Sequence, residues 1–453
     1  MPSTWVRRLV AGTTTTLLAA AGLSVVPAAA QQASPGAATT TSSVSAAAAA
    51  LPTSFRLTGS GFGHGVGMPQ YGAYELARRG GVNGGDILRH YYQGATTKHV
   101  TTPETVAVQV YGPDPLGRSG YGDSKATSAV AVHDGKWRLR SSAGTTLASG
   151  SGTTRFDLST SSGKIVVKVA GKTYRAALLR LHWSGTRYYQ SGGTPALVTV
   201  RDAHGTYKHG RMTLTARKGI PNVVNDVLLN TEYLYGVAEM PSSWGTTGSA
   251  ALRAQAMAAR SYAMVAMRKA KADCRCHVVD DVRDQNYTGW KKEGEGTNGR
   301  WGAIWKKAVD ASVDGRTRAQ ALTYQGSPVQ AHYFSSSGGR TAHSEQVWSS
   351  VVPYERSVSD PYSKAAPGNS YASWTRTMTQ AQARKLFGLT SVRSIKVTAR
   401  WTSGQVRTLT ATSSTGQTKS VTGKADAIRS SVGKRTTAGS MPAAWISTIT
   451  AVS

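Results

Sequence analysis

The run 236–262, GVAEMPSSWGTTGSAALRAQAMAARSY, constrains the fold more than any other part of this chain. Ala251, Leu252, Gln255, Ala256, Ala259, Tyr262, Ala263 and Ala266 recur at helical spacing. Side chains this small bury little apolar surface per turn, so such a helix is stable only where other elements crowd it. The pattern predicts a central, tightly packed helix, with Thr247 or Ser249 capping its start. Just upstream, Glu239 is the one carboxylate between residues 233 and 252, among Tyr235, Val237, Met240, Pro241 and Trp244. A carboxyl group in apolar surroundings holds its proton to higher pH, which suits a general acid. A helix-entry glutamate, favoured by the dipole of the helix behind it, has the same address in sequence. Arg253, Gln255 and Arg260 interrupt the small-residue pattern and are expected to line a groove at the helix edge.

The 453 residues suffice for two or three domains with a sizeable core. Residues 1–30 read as an export signal: Arg7 and Arg8 precede an apolar stretch, and Ala28-Ala29-Ala30 offers a cleavage site. Residues 31–50 carry no charge and read as a disordered linker. No later run is long and apolar enough to span a membrane. The expected location is therefore extracellular, held at a wall by charge. The formal net charge is +30. For an exported chain this points to phosphate polymers and peptide carboxylates of a bacterial envelope rather than to nucleic acid. The bias is steep near the C-terminus, where Asp426 is the one acid after Arg376.

The remaining pattern predicts an α+β fold. Residues 61–94 open with alternating glycines and continue into helical patterns at Gln70–Arg79 and 85–92. The segment 104–215 is β-rich, with strands at VAVQV, SAVAV, WRLRS, KIVVKV, LLRLHW, ALVTV and MTLTA. Short strands are expected at 321–324 and 329–334, then a turn at 335–339 and a helix from about His343. A helix capped by Thr379 and stopped by Gly388 follows, then strands at 395–401 and 406–411. Cys274, Cys276 and His277 form a C-x-C-H cluster. A bridge across one residue is hard to close, and three local ligands fall short of a closed zinc site unless a distant group such as His332 joins. Free or bridged thiols are expected ahead of zinc, and no cofactor is required. No G-x-S-x-G elbow occurs, and the glycine block lacks the spacing of a dinucleotide fingerprint.

Several blocks together resemble the SpoIID/LytB family of bacterial cell-wall proteins. They are EYLYGVAEMPSSWG…AALRAQAMAARSYA (232–263), CHVVDDVRDQNYTG (276–289), AHYFSSSGGRTAHSEQVW (331–348) and PYERSVSDPY (353–362). GFGHGVGMPQYGA (61–73) and ILRHYYQGA (87–95) belong to the same pattern. In many relatives the glycine block lies near the C-terminus, whereas here it comes first, so the block is expected to be permuted or the chain ends to lie close in space. The implied organisation is a glycine block at 55–100, a β-rich subdomain or insertion at 104–215, and a mixed SpoIID-like domain at 216–440, built on the central small-residue helix and antiparallel strands.

The resemblance implies a lytic transglycosylase acting on peptidoglycan glycan strands, with Glu239 as catalytic acid and base, or a non-catalytic module that enhances a cell-wall amidase. Its other motif residues suit sugar binding: Arg253, Gln255, Arg260, Tyr262, Gln285, Tyr287, His332, Ser336, Ser337, Gly338, His64 and Gln70. Asp280, Asp281 and Asp284 are the nearest acidic cluster and are expected to shape a loop. For the glycines and for Ser336 and Ser337, turn geometry alone is an equal explanation.

Overall fold

The computed structural model describes residues 50–116, 125–190 and 192–453. The expected export signal and all but the end of the linker lie outside the described residues. Within them the chain is a mixed α+β protein, and no helix is long and apolar enough to cross a membrane.

The helix Gly245–Ala266 is the hub. Ala251, Leu252, Ala254, Ala256, Ala258, Ala259 and Ala263 are fully buried. The helices Gln70–Arg79, Gly84–Tyr91 and Arg300–Asp310 and the strand Arg318–Tyr324 pack on it. Small side chains permit this crowding: a Cβ on Gly84 would lie 2.9 Å from the backbone nitrogen of Ala254. The entry differs from the expected cap. The helix starts at Gly245, kinks at the non-helical Gly248, and has no side-chain cap. Thr247 is diverted to Tyr74, whose hydroxyl lies 2.9 Å from its own. Tyr74 also stacks on Trp244 at 4.5 Å. Aromatic packing thus takes over the role assigned to a cap.

The strands of the β-rich stretch form two sheets. One is seven-stranded, in the order Val278–Val279, Thr105–Tyr111, Ile220–Leu228, Arg211–Arg217, Leu178–Trp183, Lys136–Ser141, Thr146–Ser151. The other runs Lys172–Ala176, Lys164–Val169, Thr154–Ser161, Ser128–His133, Leu197–Val200, Thr206–Tyr207. Their inner faces share one apolar core, with Trp137 edge-on to Phe156 at 4.9 Å. The larger sheet continues past residue 215, because Arg211–Arg217 pairs with Ile220–Leu228 and that strand pairs with Thr105–Tyr111. It therefore supports the segment that leads into Glu239.

The C-terminal residues build a second core. Phe55, Leu57, Met378, Phe387, Leu409, Ile428 and Ile446 pack between the sheets Trp374–Thr379/Ser54–Ser60/Trp445–Val452 and Ser394–Arg400/Val406–Thr412/Thr418–Thr422. The helix Gln380–Phe387 has the Thr379 capping box and the left-handed Gly388 stop read from sequence. Ser54 pairs with Val452, so the two ends of the described structure are adjacent. The glycine block then joins the 331–339 segment: Met68–Pro69 runs parallel to Tyr333–Phe334, and Phe62 bridges Ser336. Gly61, Gly63, Gly65 and Gly67 all take positive φ. Gly67 has a further reason, since a Cβ there would lie 2.0 Å from the His332 carbonyl oxygen.

Candidate active site

Glu239 sits at a bend directly after a short segment, 236–238, that pairs with residues 286–288. Ala238 N–H donates to Asn286 O at 2.7 Å, Thr288 N–H donates to Gly236 O at 2.8 Å, and the Asn286 side-chain amide donates to Ala238 O at 2.9 Å. This clamp aims the Asn286 backbone N–H at the Glu239 carboxyl, 2.6 Å from Oε1. The Tyr333 hydroxyl supplies a second hydrogen bond to the same carboxyl. Protein surrounds the Glu239 carboxyl, yet the residue as a whole is only half-buried. Burial raises its pKa above the ordinary glutamate value, and the bonds from Asn286 and Tyr333 and the charge of Lys292 hold back part of that rise. Lys292 itself is spent elsewhere, donating to Met240 O at 2.6 Å and to Glu295 at 2.8 Å.

The Tyr333 proton has a defined direction. Tyr233 OH donates to Gln285 Oε1 at 2.7 Å, which leaves the Gln285 amide nitrogen to donate to the Tyr333 oxygen at 2.9 Å. Tyr333 then points its own proton at Glu239. Burial keeps the phenol neutral by raising its pKa well above the usual value. Gln70 closes another side, donating to Glu239 O at 3.1 Å and to Gln255 Oε1 at 3.3 Å.

Two histidines stand behind Tyr333. Val66 N–H donates to His64 Nδ1 at 3.1 Å, so the ring proton is on Nε2, which donates to Tyr333 O at 3.1 Å. Burial and the neighbouring His332 and Arg429 pull the His64 pKa down to about 3, so it is neutral over the working range. His332 Nδ1 is 2.9 Å from the fully buried Glu355, which also accepts the His332 backbone N–H at 3.0 Å. The Trp348 ring lies 4.7 Å from His332 and 5.0 Å from His64, and Tyr262 meets His332 edge-on at 6.1 Å. Glu239, Gln285, Tyr262, His332 and His64 therefore gather around Tyr333, and Gln70 and Gln255 adjoin Glu239.

Other expected residues go elsewhere. Arg260 does not line a groove: it is fully buried and donates to Asn230, Ser312 and the Gln320 carbonyl at 2.7–3.0 Å. Burial pulls its guanidinium down to about 9, so it stays charged at neutral pH. Arg253 donates to Gln320 Oε1 at 2.9 Å. Tyr287 faces the interior, where it stacks on Tyr233 at 5.3 Å and donates to Asn225 at 2.9 Å. Ser336 and Ser337 are fully buried, and Ser337 donates to the buried Asp360. Gly338 packs flat against Trp445. Arg260, Tyr287, Ser336 and Ser337 thus spend their side chains on partners inside the protein, while Arg253 and Gly338 stay partly exposed.

The acidic cluster is likewise committed to its loop. Asp281 and Asp114 hold Arg283, while Asp284 accepts from Tyr262 at 2.9 Å and pairs with Lys271 at 3.0 Å. Asp280 is buried, and burial raises its pKa well above the usual value. Cys274 and Cys276 are bonded to each other, so neither offers a thiolate to zinc. Arg275 takes φ 51°, which turns the chain enough to bring the two Cα atoms to 5.1 Å. His277 Nδ1 accepts from Ala107 N–H at 3.0 Å. No group of three or more potential metal ligands occurs among the described residues.

Sequence reasoning missed Tyr333, Asn286 and Glu355. Tyr333 and Glu355 lie in the quoted blocks but carry no positional signature. Asn286 acts through a backbone N–H, which no side-chain pattern reveals.

A family model described as "Stage II sporulation protein" matches residues 218–324, the span that holds Glu239, the central helix and the Gln285–Asn286 clamp. The chain is also 32% identical over 183 residues to "Stage II sporulation protein D" of Bacillus subtilis, covering 39% of this chain and 49% of that protein. Over this span the chain is similar to the SpoIID/LytB family. It is 31% identical over 179 residues to the protein of the same name from Bacillus amyloliquefaciens, covering 37% of this chain and 50% of the relative. It is 33% identical over 147 residues to "Amidase enhancer" of Bacillus subtilis, covering 32% of this chain and 16% of the relative. The chain thus spans about half the length of the two sporulation proteins it matches. Tyr333, His332 and His64 lie outside the span matched by the family model.

Proposed function

We propose that this protein remodels bacterial peptidoglycan as an exported, wall-associated lytic transglycosylase, with Glu239 as its acid and base. The observation that carries this reading is the Glu239 carboxyl itself. It is surrounded by protein, raised in pKa, on a half-buried residue, and met by one backbone N–H and one neutral phenol. Protonated Glu239 donates to the glycosidic oxygen between N-acetylmuramic acid and N-acetylglucosamine, and the C1–O bond breaks. The C6 hydroxyl of the muramic residue then attacks C1, and the Glu239 carboxylate removes its proton. A 1,6-anhydro ring forms, no water is consumed, and the acid is regenerated. One carboxyl can run both halves, unlike the paired carboxyls of most glycosidases. Asn286 N–H and Tyr333 OH stabilise the carboxylate between the two proton transfers. The commitment of Asp280, Asp281 and Asp284 to their own loop fits a single-carboxyl scheme.

Mass spectrometry of products from amidase-stripped glycan strands tests this. Wild type should release fragments lighter by one water than reducing ends, and Glu239→Gln should not. Equal cleavage by both proteins would discard the mechanism.

The likeness to "Amidase enhancer" favours a second reading, in which the chain binds wall and stimulates a separate amidase. Under it, Glu239→Gln stimulates a purified wall amidase as well as wild type does, and neither protein cuts glycan.

A further inference from the structure

Resting on the glycan-cleaving reading above, we propose that Cys274 and Cys276 are positioning residues for Glu239, and that oxidation of this pair to its disulfide assembles the acid.

The bridge closes a turn that reaches the acid through one ion pair. Lys271 N–H donates to Cys276 O at 2.8 Å across the turn, so the bridge fixes Lys271. The Lys271 ammonium pairs with Asp284 at 3.0 Å. Asp284 also accepts the Val279 N–H at 2.8 Å and the Tyr262 hydroxyl at 2.9 Å. Turn, strand and central helix therefore meet on one carboxylate. Two residues on, the Asn286 N–H reaches Glu239 Oε1 at 2.6 Å. The residue between them, Gln285, donates to the Tyr333 oxygen at 2.9 Å and so aims the Tyr333 proton. Both donors to the Glu239 carboxyl thus depend on the segment that Asp284 anchors.

The bridge is packed as core. Cys274 and Cys276 are fully buried in a cluster with Ala107, Val224 and Val279. Asn222 donates to Cys274 O at 2.9 Å, and His277 N–H donates to Ala107 O at 2.8 Å. Two thiols need more room than one disulfide, and a site with no exposed surface yields that room only if the turn moves. Reduction therefore loosens Lys271 and, through it, Asp284 and Asn286. Closure takes two electrons and two protons from the thiols, and a second disulfide accepts them by exchange as it becomes a dithiol. In an exported chain this happens beyond the cytoplasm, where thiols are no longer kept reduced.

The chain's two cysteines are both in the bridge, so an added dithiol has one target. The experiment compares full-length wild type, oxidised and dithiol-reduced, with Cys274→Ala/Cys276→Ala, which needs no reductant. The first readout is the titration of the Glu239 carboxyl, by NMR of carbon-labelled glutamate, assigned by its loss in Glu239→Gln. The groups facing that carboxyl are Lys292, Tyr333 and Tyr233, and all three are kept in the compared proteins. A changed titration therefore reports the hydrogen bonds from Asn286 and Tyr333. Loss of the bridge should raise the Glu239 midpoint by about one pH unit. The alkaline limb of glycan cleavage should rise with it, and turnover should fall roughly 10-fold. Re-oxidation of reduced wild type should restore all three, and dithiol should leave the double variant unchanged. Asp284→Asn keeps the bridge, breaks the ion pair, and should raise the midpoint similarly. A lower melting temperature with an unmoved midpoint would leave the bridge a stability element and overturn the proposal, as would an unmoved midpoint in Asp284→Asn. No cleavage by any form, with a midpoint that still moves on reduction, overturns the glycan-cleaving reading and leaves the positioning role standing.

Discussion

Glu239 and Asp360 are both carboxyls set among motif residues, and the protein treats them in opposite ways. Asp360 is fully buried and accepts from Tyr91, Ser337 and Ser363 hydroxyls and from the Ser363 N–H. Every lone pair has a use, so the turn at 335–339 is locked and nothing is left to react. Glu239 receives two donors, keeps an open side and pays the cost of burial as a raised pKa. A satisfied carboxylate builds structure, and one left partly unsatisfied on a half-buried residue is poised for chemistry. The same contrast separates Ser337, absorbed by the Asp360 hub, from Tyr333, which faces the acid.

The largest effect expected is on activity at Glu239. Glu239→Gln should slow formation of anhydro products by roughly 10²- to 10⁴-fold, read by mass spectrometry, while the protein stays folded. Asp360→Ala should do the reverse: about 3 kcal/mol of stability lost in denaturant titration, as several buried hydroxyls lose their acceptor, with cleavage retained below the new melting point. If the Asp360 variant were folded and as inactive as the Glu239 variant, the contrast between the two carboxyls would collapse.

Tyr333→Phe should reduce turnover by roughly 10-fold while leaving the Asn286 bond in place. Removing a donor to the carboxylate raises the Glu239 pKa further, so the alkaline limb of the pH–rate profile should move to higher pH. An unmoved limb would make Tyr333 a packing residue only.

The smallest effect is on stability. Because the folded pKa of Glu239 is raised, native protein binds the extra proton between the ordinary glutamate value and the raised one. Wild-type stability therefore declines as pH rises through that window, and Glu239→Gln lacks the decline. The melting temperature of the variant should gain on wild type as pH rises from below the ordinary glutamate range, then run parallel above the raised value. A constant gap at all pH would show that Glu239 does not titrate abnormally.

Elements with strong local signals were legible. Gln70–Arg79, the Thr379 box and the apolar strands of 104–215 are where their patterns place them. The strands Thr146–Ser151, Thr154–Ser161 and Lys172–Ala176 were not, because much of their side-chain surface is polar and exposed and their pairing comes from neighbouring strands. In the candidate site, the residue types of Arg260 and Tyr287 gave no sign that core partners would claim them.

The sequence by itself determined that a small-residue helix must be buried, that Glu239 sits alone among apolar neighbours, and that the chain is strongly basic. These are properties of composition and period, which survive unfolding. Only the tertiary structure decided which donors reach the Glu239 carboxyl, since Asn286 acts through its backbone and Tyr333 arrives from a strand paired with the glycine block. A pKa depends on burial and partners, and both exist only once distant segments have packed together.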